Sequence, residues 1–224
     1  MTKGIFIERP NRFIARCEVE GDVKTVHVKN TGRCKELLIP GAPVYLEIPS
    51  NPLRKTQYSL IGVEKGEMLI NIDSSAPNKV AGEAMLQGFR LPGMGPLTHV
   101  KPEATFGSSR FDFYLEDGTH KAFMEVKGVT LEENGLALFP DAPTLRGLKH
   151  IEELVMAREK GYLAYILFVI QMKPVTCFSP NNITQPEFGT ALKKAKKHGV
   201  HILAYDCTVE PDGLALSESV IVRL

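Results

Sequence analysis

The chain has 224 residues, of which 43% are hydrophobic and 24% are charged. This length allows one large domain or two small ones, and either can bury a hydrophobic core. The net charge of only +1 gives no support to binding of nucleic acid through overall charge. Any such binding therefore requires positive side chains to gather on one face.

The four cysteines are widely separated and include no Cys-x-x-Cys pair. They are Cys17, Cys34, Cys177 and Cys207. This spacing argues against a structural zinc site and a disulfide framework, and it predicts reduced, buried thiols. Residues 1–10 lack the apolar stretch of a secretory signal, and the longest apolar run, residues 162–170, is too short to span a bilayer. We expect a cytoplasmic protein that does not associate with membranes.

The first part of the chain is rich in β-branched and aromatic residues separated by turn signals such as Gly21-Asp22 and Lys65-Gly66. Five strands are predicted, at residues 13–19, 23–28, 44–48, 58–63 and 68–72, with further turns at Pro40-Gly41 and Asn51-Pro52. One helical turn is expected at residues 34–39. Five short strands are typical of a small oligonucleotide/oligosaccharide-binding (OB-like) β-barrel, although a fragment of a sandwich has nearly the same pattern.

The second part alternates strands and helices, which predicts a mixed α/β domain with helices packed on a sheet. A helix is expected at residues 78–91, and the Pro-Gly-rich residues 92–96 follow it. This change of pattern places the domains at residues 1–80 and 81–224. Later elements are strands at residues 111–115 and 121–127 with a two-residue turn at Asp117-Gly118, a helix at 144–160, a strand at 162–170, a helix at 186–198 and a strand at 200–205.

The predicted hairpin brings together side chains that are suited to metal binding and catalysis. A turn at Asp117-Gly118 puts Asp112 across from Phe123 and diagonally about 7 Å from Glu125. Glu125 and Lys127 share one face because side chains alternate along a strand. Two carboxylates suit Mg²⁺ or Mn²⁺, and a lysine beside the metal can orient an attacking water. A common surface Glu–Lys pair across a hairpin is the alternative.

A resemblance makes this hypothesis more specific. Four segments, residues 30–41, 107–113, 124–130 and 139–150, resemble the sugar fermentation stimulation protein A family. The resemblance implies an OB-like N-terminal domain and a C-terminal domain of the PD-(D/E)xK, restriction-endonuclease-like superfamily, in a family described as DNA-binding. It also implies that Asp112 and Glu125 are metal ligands and Lys127 a catalytic lysine. Phe111 stands where the motif has proline.

Two further residues near the hairpin have two interpretations each. Glu103 is a candidate third carboxylate from a core helix, or else an exposed glutamate at a helix start, where it is stabilised anyway. Arg110 lies on the same side of its strand as Asp112. It is a candidate phosphate contact, or else an ion-pair partner of Glu125.

Other candidate nucleic-acid contacts are basic. Arg146, Lys149 and His150 lie in the first turns of the helix after Lys127, where a cation gains nothing from the helix dipole and phosphate is an attractive partner. His150 is a candidate proton carrier or simply a solvent-facing histidine. In the barrel, Arg33 and Lys35 follow a strand in a polar loop that either contacts nucleic acid or caps the next segment.

Three functions remain open at this point. The first is a Mg²⁺- or Mn²⁺-dependent nuclease acting on DNA, with double-stranded DNA the expected partner and a homodimer a natural way to cut both strands. The second is a non-catalytic DNA-binding regulator of sugar-metabolism genes on a nuclease-like scaffold. The third, an oligosaccharide-binding barrel, has little support because the chain contains no tryptophan for stacking on sugars. The set of two acids and a lysine favours the first, whereas the family's description as DNA-binding and its name favour the second.

Overall fold

The computed structural model describes residues 1–30, 32–49 and 54–224 and shows a barrel followed by an α/β domain, so the predicted fold class is confirmed. The predicted turn at Asn51-Pro52 lies outside the described residues. The barrel strands are β1 (Thr2–Asn11), β2 (Ile14–Val19), β3 (Asp22–Val28), β4 (Pro43–Glu47), β5 (Tyr58–Lys65) and β6 (Met68–Asn71). Residues 34–38 form a hydrogen-bonded turn where one helical turn was expected.

The barrel closes because β1 pairs with both β2 and β4, while β3 pairs in parallel with β5. Alternate residues of β2 and β3 fill its interior, among them Ala15, Cys17 and Val26. Strand β1 was missed by the sequence analysis. Its buried residues are Gly4 and Phe6, and the rest of the segment is polar or partly exposed, so it lacks a strong alternating pattern.

The second domain is built on a six-stranded sheet of order β15-β14-β12-β9-β8-β7, in which β9, β12 and β14 run parallel. A smaller sheet has the order β10-β11-β13-β16. The elements are α1 (Ala76–Leu86), β7 (His99–Phe106), β8 (Ser109–Glu116), β9 (Lys121–Val129), β10 (Leu131–Glu133), β11 (Leu136–Phe139), α2 (Leu145–Glu159), β12 (Leu163–Ile170), β13 (Cys177–Pro180), α3 (Pro186–Lys197), β14 (His201–Glu210), β15 (Gly213–Ser219) and β16 (Ile221–Val222).

Helices cover both faces of the large sheet. Helix α1 packs Val80 and Met85 against one face, and α2 and α3 pack on the other around Phe168 and Phe188. The apolar strand β12 is buried on both faces, as its sequence indicates. Helix α1 ends earlier than predicted because Gly88 adopts a φ of +91° just beyond the last turn, a conformation that glycine adopts without strain.

The connection between β8 and β9 differs from the predicted two-residue turn. Strand pairing ends at Glu116 and Lys121, which leaves four connecting residues. The Asp117 carboxylate holds them by accepting hydrogen bonds from the backbone N–H groups of Thr119 and His120, at 2.8 and 2.6 Å. The register therefore moves by two residues, and Phe123 lies opposite Tyr114 instead of Asp112. An even shift keeps Glu125 and Lys127 on one face of β9, as predicted.

The two domains are joined by hydrogen bonds around Gln171. Its backbone carbonyl accepts from the N–H of Asn71 at 3.0 Å, and its side-chain amide donates to Asn71 Oδ1 at 2.9 Å and to the Asp73 carbonyl at 3.1 Å. Lys65 of the barrel also pairs with Glu132 of the second domain at 2.6 Å. These buried and partly buried contacts fix the barrel against the end of β9 and β12.

All four cysteines are free and buried, as the sequence analysis predicted. Among the described residues, no helix combines the length and the apolar character needed to cross a membrane.

Candidate metal and nucleic-acid site

Strands β8 and β9 and helix α2 bring four predicted side chains together, and we call Asp112, Glu125, Lys127 and His150 the Glu125 cluster. Glu125 is its centre and is only 3% exposed. Its Oε1 atom accepts hydrogen bonds from Nζ of Lys127 and from the His150 ring at Nδ1. Lys127 reaches Glu125 because residues two apart on a strand share a face.

The second carboxylate oxygen of Glu125 is unusual. Oε2 is buried and has no hydrogen-bond partner among the described residues. A buried charged oxygen without a partner is costly unless a ligand, a cation or water satisfies it. This atom is therefore a candidate metal-ligating position.

Asp112 lies beside Glu125 and has a different environment. Its Oδ1 accepts a hydrogen bond from the Asn78 side chain of α1 at 2.7 Å, and its Oδ2 accepts one from the backbone N–H of Val126 at 2.7 Å. These two bonds orient the carboxylate and leave further lone pairs. Asn78 was not predicted as a site residue, because one asparagine at a helix start carries no distinctive signal.

The pKa values of the two carboxyl groups shift in opposite directions. Burial raises the pKa of Asp112, and the nearby charge of Glu125 raises it further. Burial also acts to raise the pKa of Glu125, but the hydrogen bond from His150 and the charge of Lys127 outweigh it, so the pKa is lowered. Glu125 is thus held ionised, while Asp112 gains most from a neighbouring cation.

The structure corrects the expectation that His150 faces solvent. His150 is 3% exposed, and its ring packs edge-on against Phe111 with the centroids 6.0 Å apart. Arg146, one turn earlier on α2, is exposed and places its Nε 3.4 Å from Nε2 of His150. The face of α2 that carries His150 is therefore a buried face that meets Glu125. Periodicity did not reveal this because the residues around it are charged.

Glu103 and Arg110 also differ from expectation. Glu103 lies in strand β7 and not in a helix, with a φ of +56° and an exposed side chain. Its carboxylate lies 3.5 Å from Nη2 of Arg110, so Arg110 pairs with Glu103 and not with Glu125. Strand β7 escaped prediction because a mid-strand proline, Pro102, argues against a strand. Lys149 is exposed and lies 4.0 Å from Glu153.

A second group of basic residues lies on the barrel, and we call Arg9, Arg12, Arg33 and Lys35 the cationic barrel surface. They line one shallow groove of about 300 Å³. Arg9 donates from its guanidinium to the carbonyls of Asn30, Gly32, Arg33 and Arg12 at 2.6 to 2.9 Å and so fixes the loop.

Arg12, Arg33 and Lys35 are exposed. The sequence analysis missed Arg9 and Arg12 because β1 was not recognised as a strand. The predicted residues Arg33 and Lys35 therefore share one surface, to which β1 adds Arg9 and the turn after β1 adds Arg12.

Within the described ranges, no three His, Cys, Asp or Glu side chains are grouped so that they could hold a metal ion. Asp112 and Glu125 are thus a two-carboxylate set, and a cation bound there would complete its shell with other oxygens or water. Mg²⁺ commonly binds in this way through one or two carboxylates.

Comparison with known proteins identifies both domains. Residues 7–72 match the model of the SfsA N-terminal OB domain, and residues 75–213 match the Sugar fermentation stimulation protein RE domain. The Sugar fermentation stimulation protein homolog of Clostridium beijerinckii is 54% identical over 99% of this chain and 97% of its own. The homolog of Ruminiclostridium cellulolyticum is 55% identical, with the same coverage of both chains.

The solved structure of Pyrococcus furiosus SfsA in complex with Ca²⁺ superposes with a TM-score of 0.90 at 29% identity, covering 100% of this chain and 96% of that one. Two family models that together span most of the chain, close full-length relatives and this structural match agree with the resemblance drawn from four sequence segments. The chain therefore belongs to the sugar fermentation stimulation protein family.

Proposed function

We propose that this protein binds nucleic acid, with DNA as the expected partner, and hydrolyses its phosphodiester bonds with the help of Mg²⁺ or Mn²⁺. The observation that carries the proposal is the Oε2 atom of Glu125, which is buried and has no hydrogen-bond partner among the described residues, while the Asp112 carboxylate accepts from the next backbone N–H, that of Val126. A surface Glu–Lys pair would leave no such atom buried.

The donor set fits a hard divalent cation. Asp112 and Glu125 offer carboxylate oxygens, which Mg²⁺ and Mn²⁺ prefer, and burial beside the Glu125 charge, which raises the pKa of Asp112, supports the proposal of a cation there. The relative from Pyrococcus furiosus was solved with Ca²⁺, another oxygen-binding cation. A bound cation at this position would polarise a phosphoryl oxygen and make water more acidic.

The remaining cluster residues supply positioning and charge. Lys127 and His150 hold Oε1 of Glu125 and so direct Oε2 away from them. The Lys127 ammonium is also placed to orient a water that attacks a phosphate. Arg146 is exposed on the first turn of α2, where its guanidinium can neutralise charge on a phosphoryl oxygen.

The cationic barrel surface supports the binding part of the proposal. Arg12, Arg33 and Lys35 are exposed cations on a closed OB barrel, and such barrels follow nucleic-acid backbones with positive grooves. The net charge of +1 gives no support to nucleic-acid binding through overall charge, but these cations lie together on one face and can bind phosphates locally. Since this surface lies outside the Glu125 cluster, it can also bind DNA without turnover, and a non-catalytic DNA-binding regulator of sugar-metabolism genes is the second candidate.

The decisive test is cleavage of supercoiled plasmid and of short single- and double-stranded DNA and RNA, with Mg²⁺, Mn²⁺ or EDTA. Glu125→Gln should lower metal-dependent cleavage by about 10³-fold, because losing a metal ligand removes several kcal/mol of transition-state stabilisation. Glu152→Gln, at an exposed position on α2, is the matched control and should cleave normally.

One result would contradict the assignment of the site, and another would contradict the nuclease activity. Cleavage that survives in Glu125→Gln would mean that the site is wrongly assigned. An absence of cleavage by the unsubstituted protein on every substrate, with binding retained, would favour the non-catalytic alternative.

A further inference from the structure

A cavity of about 360 Å³ lies between the barrel and the second domain, next to the Glu125 cluster but not part of it. The barrel side includes Asn30 and Gly32, and the other side includes Gly128, Asp141 and Gln171. Its volume falls within the range of small-molecule sites. Three of the four sequence segments that carry the family resemblance meet at its walls.

Two glycines allow polar groups to approach the backbone of this cavity. A Cβ atom on Gly128 would lie 2.5 Å from Gln171 Oε1 and 2.7 Å from the Pro77 ring. A Cβ atom on Gly32 would lie 2.7 Å from Asp141 Oδ2. Any side chain at these positions would displace the two acceptor groups, so the glycines shape the cavity around them.

The polar lining favours a ligand with N–H donors. Gln171 uses its amide N–H groups on Asn71 and Asp73, which leaves its Oε1 facing Gly128 at the cavity wall. Asp141 supplies a carboxylate that accepts a 3.3 Å hydrogen bond from the backbone of Arg33. Asp141 is the charged side chain of the lining, and its negative charge disfavours a phosphate there.

The cavity lies between the two regions that the proposed function requires. Gly128 follows Lys127 directly in β9, and Thr144 of the lining begins the helix that carries His150. On the barrel side, Arg33 of the cationic barrel surface contacts Asp141. The cavity wall is therefore contiguous with residues of both regions.

We propose that this cavity receives one unpaired nucleobase that carries an exocyclic amino group, an inference that rests on the proposed function. Asp141 and Gln171 accept hydrogen bonds from the amino groups of cytosine, adenine or guanine, whereas thymine and uracil have none. Enzymes and binding proteins that take a base out of the stack read it through such contacts in a snug pocket.

The test measures the affinity of single-stranded DNA homopolymers in EDTA by fluorescence anisotropy. The unsubstituted protein should bind cytosine and adenine strands roughly tenfold more tightly than thymine strands. Asp141→Asn should reduce this preference, because an amide presents a donor as well as an acceptor. Asp212→Asn, at an exposed turn, is the matched control and should leave the preference unchanged.

A steric variant tests the same cavity without touching its acceptors. Ala142 lines the cavity, so Ala142→Phe should fill it and abolish the base preference, while Ala142→Ser should keep it. Equal affinity for all homopolymers in the unsubstituted protein would overturn the inference, as would a preference that both Ala142→Phe and Asp141→Asn retain. If Ala142→Phe fails to fold, Asp141→Asn decides.

The outcome is separable from that of the nuclease proposal because no metal is present. A base preference in a protein that does not cleave would overturn the nuclease and keep the cavity as a base-binding site. Metal-dependent cleavage that depends on Glu125, with no base preference, would overturn only the cavity inference.

Discussion

The Glu125 cluster and the cationic barrel surface both present charge, but they differ in burial. In the Glu125 cluster, Glu125 and His150 are almost completely buried, and the Lys127 ammonium contacts the Glu125 carboxylate. On the cationic barrel surface, Arg12, Arg33 and Lys35 are exposed, and Arg9 is used to hold the loop. Under the proposed function, the first region would act on one phosphodiester bond and the second would contact the nucleic-acid strand at several phosphates.

This difference sets the size of the effect expected from each substitution. Charges in a buried network act through a low dielectric and depend on one another, so removing one partner disturbs all of them. Exposed charges are screened within about 8 Å at physiological ionic strength, and each contributes little alone. The comparison therefore predicts large, localised effects in the Glu125 cluster and small, additive, salt-dependent effects on the barrel.

After Glu125→Gln, the largest effect within this comparison is expected from His150→Ala. The imidazole holds Oε1 of Glu125, and losing a partner that orients a metal-ligating carboxylate typically lowers metal affinity or activity by about 10- to 100-fold. Metal titration of the cleavage rate measures both quantities. His198→Ala, at an exposed histidine after α3, is the control.

A purely structural role for His150 would give a different result. It would lower the thermal unfolding midpoint without changing the metal concentration needed for half-maximal cleavage. Such an outcome would contradict a role of His150 in orienting Glu125 for metal binding.

A smaller effect is expected when the exposed barrel cations are removed one at a time. Each of Arg12→Ala, Arg33→Ala and Lys35→Ala should weaken DNA binding and reduce the slope of log affinity against log salt by roughly 0.7 to 0.9, if each contacts one phosphate. Filter binding at several salt concentrations measures the slope.

Lys196→Ala on α3 is the matched control for these three variants. If Lys196→Ala changed the slope and the barrel variants did not, the nucleic acid would lie against α3, and the contrast between the two regions would have to be redrawn.

The same contrast explains which structural features could be predicted from the sequence. The faces of β9 were predictable because alternation along a strand is local, and an even error in register preserved them. The length of the β8–β9 connection was not predictable. The Asp117 carboxylate organises four connecting residues, but the sequence shows only an Asp-Gly pair, which also fits a two-residue turn. Arg33 and Lys35 could likewise be predicted as exposed cations, because they lie in a polar loop that is visible in the local sequence.

Tertiary contacts could not be predicted from local sequence patterns. That His150 is buried follows from how α2 meets β9, and that Glu103 lies in a strand follows from the pairing of its neighbours in β7 with β8. The convergence of Gly32 and Gly128 on one cavity depends on the docking of two domains. Each of these facts needs the relative placement of elements far apart in the chain.

The smallest expected effect concerns Thr144, the N-cap of helix α2, which carries His150. Its hydroxyl oxygen accepts a hydrogen bond from the backbone N–H of Gly147 at 2.9 Å. Thr144→Ala should lower the free energy of unfolding by about 1 kcal/mol, as loss of an N-cap usually does, while Thr144→Ser should retain most of it. Urea unfolding measures the change.

The salt dependence of DNA binding should be unaffected in both Thr144 variants, because the cationic barrel surface sets it. If Thr144→Ser lowered the free energy of unfolding as much as Thr144→Ala, the hydroxyl hydrogen bond would not be the cause of the destabilisation. A changed salt slope in Thr144→Ala alone would have a wider meaning. Since the cap acts on the first turn of α2, it would place a phosphate contact at Arg146, next to the buried cluster, and join the two regions into one binding surface.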